Sequence, residues 1–322
     1  TVATFTTLLT EGTAVQFSVS TGGTLPTGIS SATTYYLINV NGVTANLIDT
    51  SGNLVNVTVA GSGTFSVSLL VDVPTVQNLI TISDTSRFVF AMGCNDYGSV
   101  TQDPMLIRWS DQDNPYVWTP DATNQAGSLR VSHGTEIVTA IQTRQEVVVF
   151  TDASVYSLQY LGPPVVWSSQ ILGDNISIAG PNATALASGV IYWMGVDKFY
   201  AYDGRVQTLN CDLRRHVFND FNISQRAQVY SGTSEAFNEV WWFYCSANST
   251  VIDKYVVYNY LEKIWYYGTM SRSAWLDSGL LANPIATTYN PTTQVGRLIN
   301  HESGLNDNTD GTDYAIDAYI SS

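Results

Sequence analysis

Glu239-Val240-Trp241-Trp242-Phe243-Tyr244, Tyr255-Val256-Val257-Tyr258-Asn259 and Ile264-Trp265-Tyr266-Tyr267 decide the fold class. These runs of aromatic and β-branched residues have the length of strands, and polar turns separate them. Ala227-Gln228-Val229-Tyr230 precedes them, so one unit holds four strands. The same grammar recurs upstream. A first unit runs from Phe88-Val89-Phe90-Ala91 through Leu106-Ile107-Arg108-Trp109 to Trp118, and a second from Ile137-Val138-Thr139-Ala140-Ile141 through Glu146-Val147-Val148-Val149-Phe150 and Val155-Tyr156-Ser157-Leu158 to Trp167. A third comprises Ala183 to Ala187, Gly189 to Trp193 and Phe199-Tyr200-Ala201-Tyr202. The interval of roughly 40 to 50 residues is that of propeller blades. The expected fold is therefore all-β: residues 86–322 form a β-propeller with blades of three to four antiparallel strands. One late aromatic per unit (Trp118, Trp167, Trp265) is expected to pack against the next blade.

Residues 1–70 form a separate block, with no Lys or Arg and only Glu11 and Asp49 as acids. Apolar and polar residues alternate in Ala14–Val19, Tyr35–Val40, Leu54–Val59 and Thr64–Val67, which predicts a small antiparallel sandwich or open barrel. Residues 71–85 read as a linker. One helix is expected. In Asp212–Asp220, Leu213, Val217 and Phe218 share a stripe behind an Asp cap, linking the third and fourth blades.

The net charge is −14, with 13 basic against 27 acidic residues, so no basic footprint for gripping a phosphate backbone is available. Cys94, Cys211 and Cys245 lack paired spacing and read as small buried hydrophobes, not as a disulfide framework or zinc site. The sequons at Asn56, Asn175, Asn182, Asn222 and Asn248 follow from Asn, Ser and Thr richness. No apolar run approaches the ~18 residues of a membrane span. The chain starts at Thr1 without an initiator Met and ends inside a strand-like run, which reads as a segment of a longer polypeptide.

His133, His216 and His301 fall in different units without metal-ligand spacing, and read as packing or surface groups. The most site-like pattern is Asn306-Asp307-Asn308-Thr309-Asp310-Gly311 followed by Asp317. It places oxygen donors Asn306, Asn308, Asp310 and Asp317 at positions one, three, five and twelve of a calcium loop. Its strand-like flanks favour a β turn instead. A propeller hydrolase would need paired carboxylates and clustered arginines. Only Arg214 and Arg215 are adjacent, and Asp111 and Asp113 ahead of Asn114-Pro115 read as a turn. The sequence therefore predicts no catalytic residues and no cofactor.

Arg87–Ala91 with Ile107–Trp118, Val149–Tyr156, Trp193–Gly204 and His301–Asp307 together resemble the tail-nozzle and packaged-DNA stabilisation proteins of short-tailed phages. Gly22–Ile29 to Thr34–Asn39, with Gly61-Ser62-Gly63-Thr64, resemble a small β module inserted in many phage virion proteins. The resemblance implies a virion tail protein, assembled in the host cytoplasm, in a ring of six copies around the DNA exit channel. Adaptor and portal proteins would lie above it, with fibre, spike or needle proteins as neighbours and double-stranded DNA passing without sequence readout. The chain is shorter than a complete nozzle subunit, so ring-forming and channel-lining segments are expected to lie partly outside it. The alternative is a carbohydrate-binding adhesin or propeller glycoside hydrolase at the tail tip.

Overall fold

The computed structural model describes residues 2–5, 11–31, 33–69, 73–281, 283–307 and 312–315. The chain is all-β, with propeller blades following a small β module. It divides into two compact units, Thr1–Arg130 and Val131–Ser322.

The first unit opens with β1 (Val2–Thr4), β2 (Ala14–Val19), β3 (Thr34–Asn41), β4 (Thr44–Ile48) and β5 (Phe65–Leu69), an antiparallel sheet in the order β1-β4-β3-β2-β5. Alternation puts Val15, Phe17, Tyr35, Leu37, Ala45 and Leu47 into one core. The run Leu54–Val59 is not the strand its pattern predicts. Leu54 and Val59 are 62% and 60% exposed, whereas Val55 plugs the core. The strand is β4 instead, which follows the Asn41-Gly42 turn with Gly42 at φ 65°.

A four-stranded meander follows: β6 (Leu79–Ser83), β7 (Phe88–Met92), β8 (Leu106–Trp109) and β9 (Gly127–Arg130). The segment 71–85, read as a linker, thus supplies this sheet's first strand. Two details fix the sheet. Gly127 leaves room for Trp109, whose Cζ2 would lie 2.6 Å from an added Cβ. Arg108, wholly buried, donates from Nη1 to the Asn95 carbonyl at 3.1 Å and lies 3.9 Å over the Tyr97 ring.

The second unit repeats the meander. Its sheets are β10 (Ile137–Gln142) to β13 (Val166–Asp174) through β11 (Glu146–Thr151) and β12 (Ser154–Gly162), then β14 (Thr184–Ala187), β15 (Val190–Met194), β16 (Phe199–Tyr202) and β17 (Val206–Leu209). Helix α1 (Arg214–Asp220) leads to β18 (Tyr230–Ser234), β19 (Glu239–Tyr244), β20 (Lys254–Asn259) and β21 (Ile264–Thr269). A three-stranded sheet, β22 (Ala274–Leu276), β23 (Ile285–Asn290) and β24 (Val295–Asn300), precedes the short pair β25 (Asn306–Asp307) and β26 (Tyr314–Ala315).

Indole rings hold successive sheets of this unit together, and Trp193, Trp242 and Trp275 each reach back to the preceding blade. Trp193 packs on Phe150 at 5.1 Å; Trp242 packs on Phe199 at 5.0 Å and donates from Nε1 to the Ala183 carbonyl at 3.0 Å. Trp275 packs on Phe243 at 5.7 Å and donates to the Thr233 carbonyl at 2.8 Å. Even Trp265 on the outermost strand reaches back, to Phe199 at 4.7 Å and the Asn210 carbonyl at 2.8 Å. Of the three aromatics expected to pack forward, Trp265 therefore packs in the opposite direction. Burying an apolar side chain of this kind contributes about 2–3 kcal/mol.

Helix α1 buries Val217, with Leu213 and Phe218 packed against the same core. Asp212 does not cap it: Leu213 holds the cap position and no side chain closes the first turn.

Candidate functional site

Asp111 and Asp113 lie in the turn that their neighbours predict. Asp113 adopts φ 61° and pairs with Arg87 at 2.8 Å, while Asp111 Oδ1 accepts from the Gln125 backbone N–H at 2.8 Å. Arg214 does not form an anion clamp with Arg215, because it is tied to the Asp197 carboxylate at 3.0 Å and the Asp197 carbonyl at 2.7 Å. Trp118 and Trp167 are buried. Burial pushes the thiols of Cys94, Cys211 and Cys245 up to about 11, so all three stay protonated and unreactive at neutral pH.

Of the calcium-loop candidates, Asn306 is exposed on β25, while Asn308, Asp310 and Asp317 lie outside the described residues. Among the described residues no group of three His, Cys, Asp or Glu side chains is arranged to hold a metal ion.

The histidines are held by different contacts. His133 Nδ1 lies 3.1 Å from the Tyr156 hydroxyl and 3.0 Å from Ser132 Oγ, and His216 packs against Tyr267 with ring centroids 4.2 Å apart and planes tilted by 44°. His301 follows β24 and stands 4.5 Å from the Trp275 ring, accepting at Nε2 from Arg272 Nε at 2.8 Å. Burial, and then the Arg272 charge, lower its pKa to about 4. The imidazole is therefore neutral near pH 7, and the lone pair a general base would use is already engaged.

Beside it, where the fifth and sixth sheets of the chain meet (β18–β21 and β22–β24), lie acids from the start of β19 and from the segments after β22 and β24. Ser234 ends β18, and its cross-strand partner Glu239 opens β19. Glu239 accepts from the Tyr266 hydroxyl and, at 3.0 Å, from Trp241 Nε1. Asp277, after β22, accepts from the Glu235 backbone N–H at 2.8 Å. Glu302 follows His301, and its pKa is raised by burial and by the charges of Asp277 and Glu239. A side-chain hydrogen bond from the buried Ser234 hydroxyl to Glu302 partly offsets that rise. No ion pair among the described residues involves Glu239, Asp277 or Glu302. Sequence reasoning missed this cluster, because its members are up to 68 positions apart and share no spacing.

The arrangement is an acid-lined polar junction, without a free nucleophile and base in contact. No family model matches the chain, and no curated protein does. Among solved structures it is similar to the extracellular domain of BT4673 from B. thetaiotaomicron, with 10% identity over 94% of this chain and 35% of that one, and a TM-score of 0.42. The chain thus spans about a third of that domain. It is also similar to Hsv2 of Kluyvelomyces marxianus (8% identity, 87% and 74% covered, TM-score 0.40) and to a functionally unknown protein from Desulfotomaculum acetoxidans (7%, 89% and 82%, 0.40). At these scores none of the likenesses bears on activity.

Proposed function

We propose that the chain is a structural component of a short phage tail, a nozzle or tube part that surrounds the DNA exit channel. It holds packaged DNA before infection and conducts it afterwards, with no bond made or broken. The observation that carries this reading beside the motif resemblance is where the cations sit. Of 13 Lys and Arg, Arg108 and Arg272 are buried, and Arg87, Arg130, Lys198, Arg214 and Lys254 are spent on nearby aspartates. The surface thus lacks the dense cations that would make a passing duplex adhere.

In this reading the protein resides in the virion tail as a six-fold ring, assembled in the host cytoplasm. Portal or adaptor proteins lie above, and fibre, spike or needle proteins are its neighbours. Mass measurement on assembled tails tests the ring: a copy number divisible by six is expected, and any other number overturns it. The adhesin reading needs exposed aromatic platforms, and burial removes Trp118 and Trp167 from that role. Saturable glycan-array binding by the chain would restore it.

A further inference from the structure

We propose that one end of the second unit, formed by the turns β10–β11, β12–β13, β16–β17, β18–β19 and β20–β21, docks on a phospholipid bilayer with zwitterionic headgroups. The surface does not depend on the tail reading. In an up-and-down meander, the turn between the first and second strands leaves by the same end as the turn between the third and fourth. Contacts between the sheets align these ends. The Tyr202 hydroxyl, closing β16, donates at 2.6 Å to Glu146 Oε1, which opens β11. Tyr260, in the β20–β21 turn, stacks on Tyr192 of β15 at 6.0 Å, and its N–H donates to the Asn238 carbonyl of the β18–β19 turn at 2.9 Å. The Glu235 N–H ties that turn to Asp277, after β22, at 2.8 Å.

The turns at this end carry apolar tips. Strand β11 stops at Glu146, opposite Gln159, whereas β12 and β13 stay paired beyond it, through Tyr160↔Trp167 to Gly162↔Val166. The projecting run Tyr160-Leu161-Gly162-Pro163-Pro164-Val165-Val166-Trp167 contains no charge, and Leu161 and Val165 are 60% and 58% exposed. Phe237 and Leu261 stand out from the β18–β19 and β20–β21 turns, and Leu280, after β22, is almost wholly exposed. The turns at the opposite end, β11–β12, β15–β16 and β19–β20, carry Asp152, Asp197 and Asp253 and no exposed large apolar residue. Such one-sided apolarity marks an interaction surface. A bilayer accepts separate convex tips without a matching shape, which a protein partner would have to supply.

Charge selects the lipid. Arg144, Arg205 and Lys263 are exposed in the same turns and enter no ion pair among the described residues. They can reach headgroup phosphates while the apolar tips enter the acyl boundary. Asp203 and Glu262 stand in the same turns, so the collar is mixed in sign, as a phosphate–choline headgroup is. An anionic bilayer would instead repel a chain of net charge −14.

The test co-sediments the full chain with unilamellar vesicles of phosphatidylcholine. Saturable, lipid-dependent binding is expected. Leu161→Asp and Leu261→Asp should each weaken it about tenfold or more, the equivalent of one buried leucine, while the melting temperature holds. If one variant does not fold, the other decides. Ile223→Asp alters a residue that is comparably exposed, at 51%, but lies between α1 and β18, and it should bind as the parent does. Vesicles containing about one fifth phosphatidylserine should bind more weakly. The proposal is overturned by a parent chain that stays in solution, by turn variants that bind unchanged, or by an equal loss in Ile223→Asp. Tighter binding to the phosphatidylserine vesicles overturns the choice of lipid. Self-association that the two leucine variants abolish, without vesicle binding, would make this end a contact between copies and overturn the lipid reading.

Discussion

Gly232 on β18 has no room for a side chain, because a Cβ there would lie 2.3 Å from Trp275 Cδ1 and 2.5 Å from its Cγ. The flat contact of the two strands depends on this glycine, so Gly232→Ala should push the indole off Phe243. The expected cost is about 1–3 kcal/mol. It would be read as a lower urea midpoint, and an unchanged midpoint would show that the seam relaxes freely. His301 provides a pH-dependent prediction. Its pKa is about 4 in the folded chain against an ordinary 6.5, so between those values the unfolded chain holds a proton that the folded one does not. This part of the stability is complete above pH 6.5 and is lost as the pH falls toward 4, by roughly 3 kcal/mol in all. The lowered carboxylates Asp103 and Asp152 act in another window, since their contribution is complete above an ordinary 3.8 and is lost only below it. His301→Gln should therefore flatten urea midpoints between pH 6.5 and 4.5. A slope that persists there would mean another group titrates.

At the scale of elements, α1 is held by packing and not by its ends, since seven residues without a side-chain cap form a poor helix alone. Phe218 meets Phe199 at 5.1 Å and Phe221 at 6.3 Å, so the helix is a lid on the core of the second unit. Phe218→Asp should cost about 3 kcal/mol or more and lower the thermal midpoint of the isolated chain. If ring assembly were lost with that midpoint unchanged, the residue would serve the interface instead. The same physics explains which elements were legible. Ala14–Val19 is a strand over the bounds its alternation gives, and Glu239–Tyr244 over those of its aromatic and β-branched run, because burial imposes both patterns. Outer strands such as β9 and β17 bury little, with only Gly127 covered in the first and no residue in the second, so no face selects their residues. The strand Leu79–Ser83 was hidden for a related reason, as Ile80 and Ile82 are 57% and 54% exposed. The acid cluster was illegible because Glu239 comes from a strand end and Asp277 and Glu302 from the segments after β22 and β24, positions that no periodicity links.

For the whole molecule, the balance of 27 acids against 13 bases makes adhesion to DNA the quantity to measure. Each Lys or Arg that neutralises a phosphate releases counterions and adds about 0.9 to the salt dependence of binding. The chain places seven of its cations in ion pairs or in the core, and its first 70 residues contain none. Acids exposed toward a passing duplex would repel it with a reach of about 8 Å at physiological salt, enough to prevent sticking and too short to impede passage. The full chain should accordingly show no retention on immobilised duplex DNA at about 150 mM salt. In assembled tails, replacing channel-facing acids by Lys should slow DNA release. The delay should shrink steeply as salt rises, with a logarithmic slope near −5 for about six replacements. An acid-to-Gln series at the same positions separates loss of repulsion from gain of adhesion, and should leave release only slightly slower. Release that is unchanged by the Lys replacements at every salt concentration would remove the charge from the mechanism, and the protein would then act as scaffold alone.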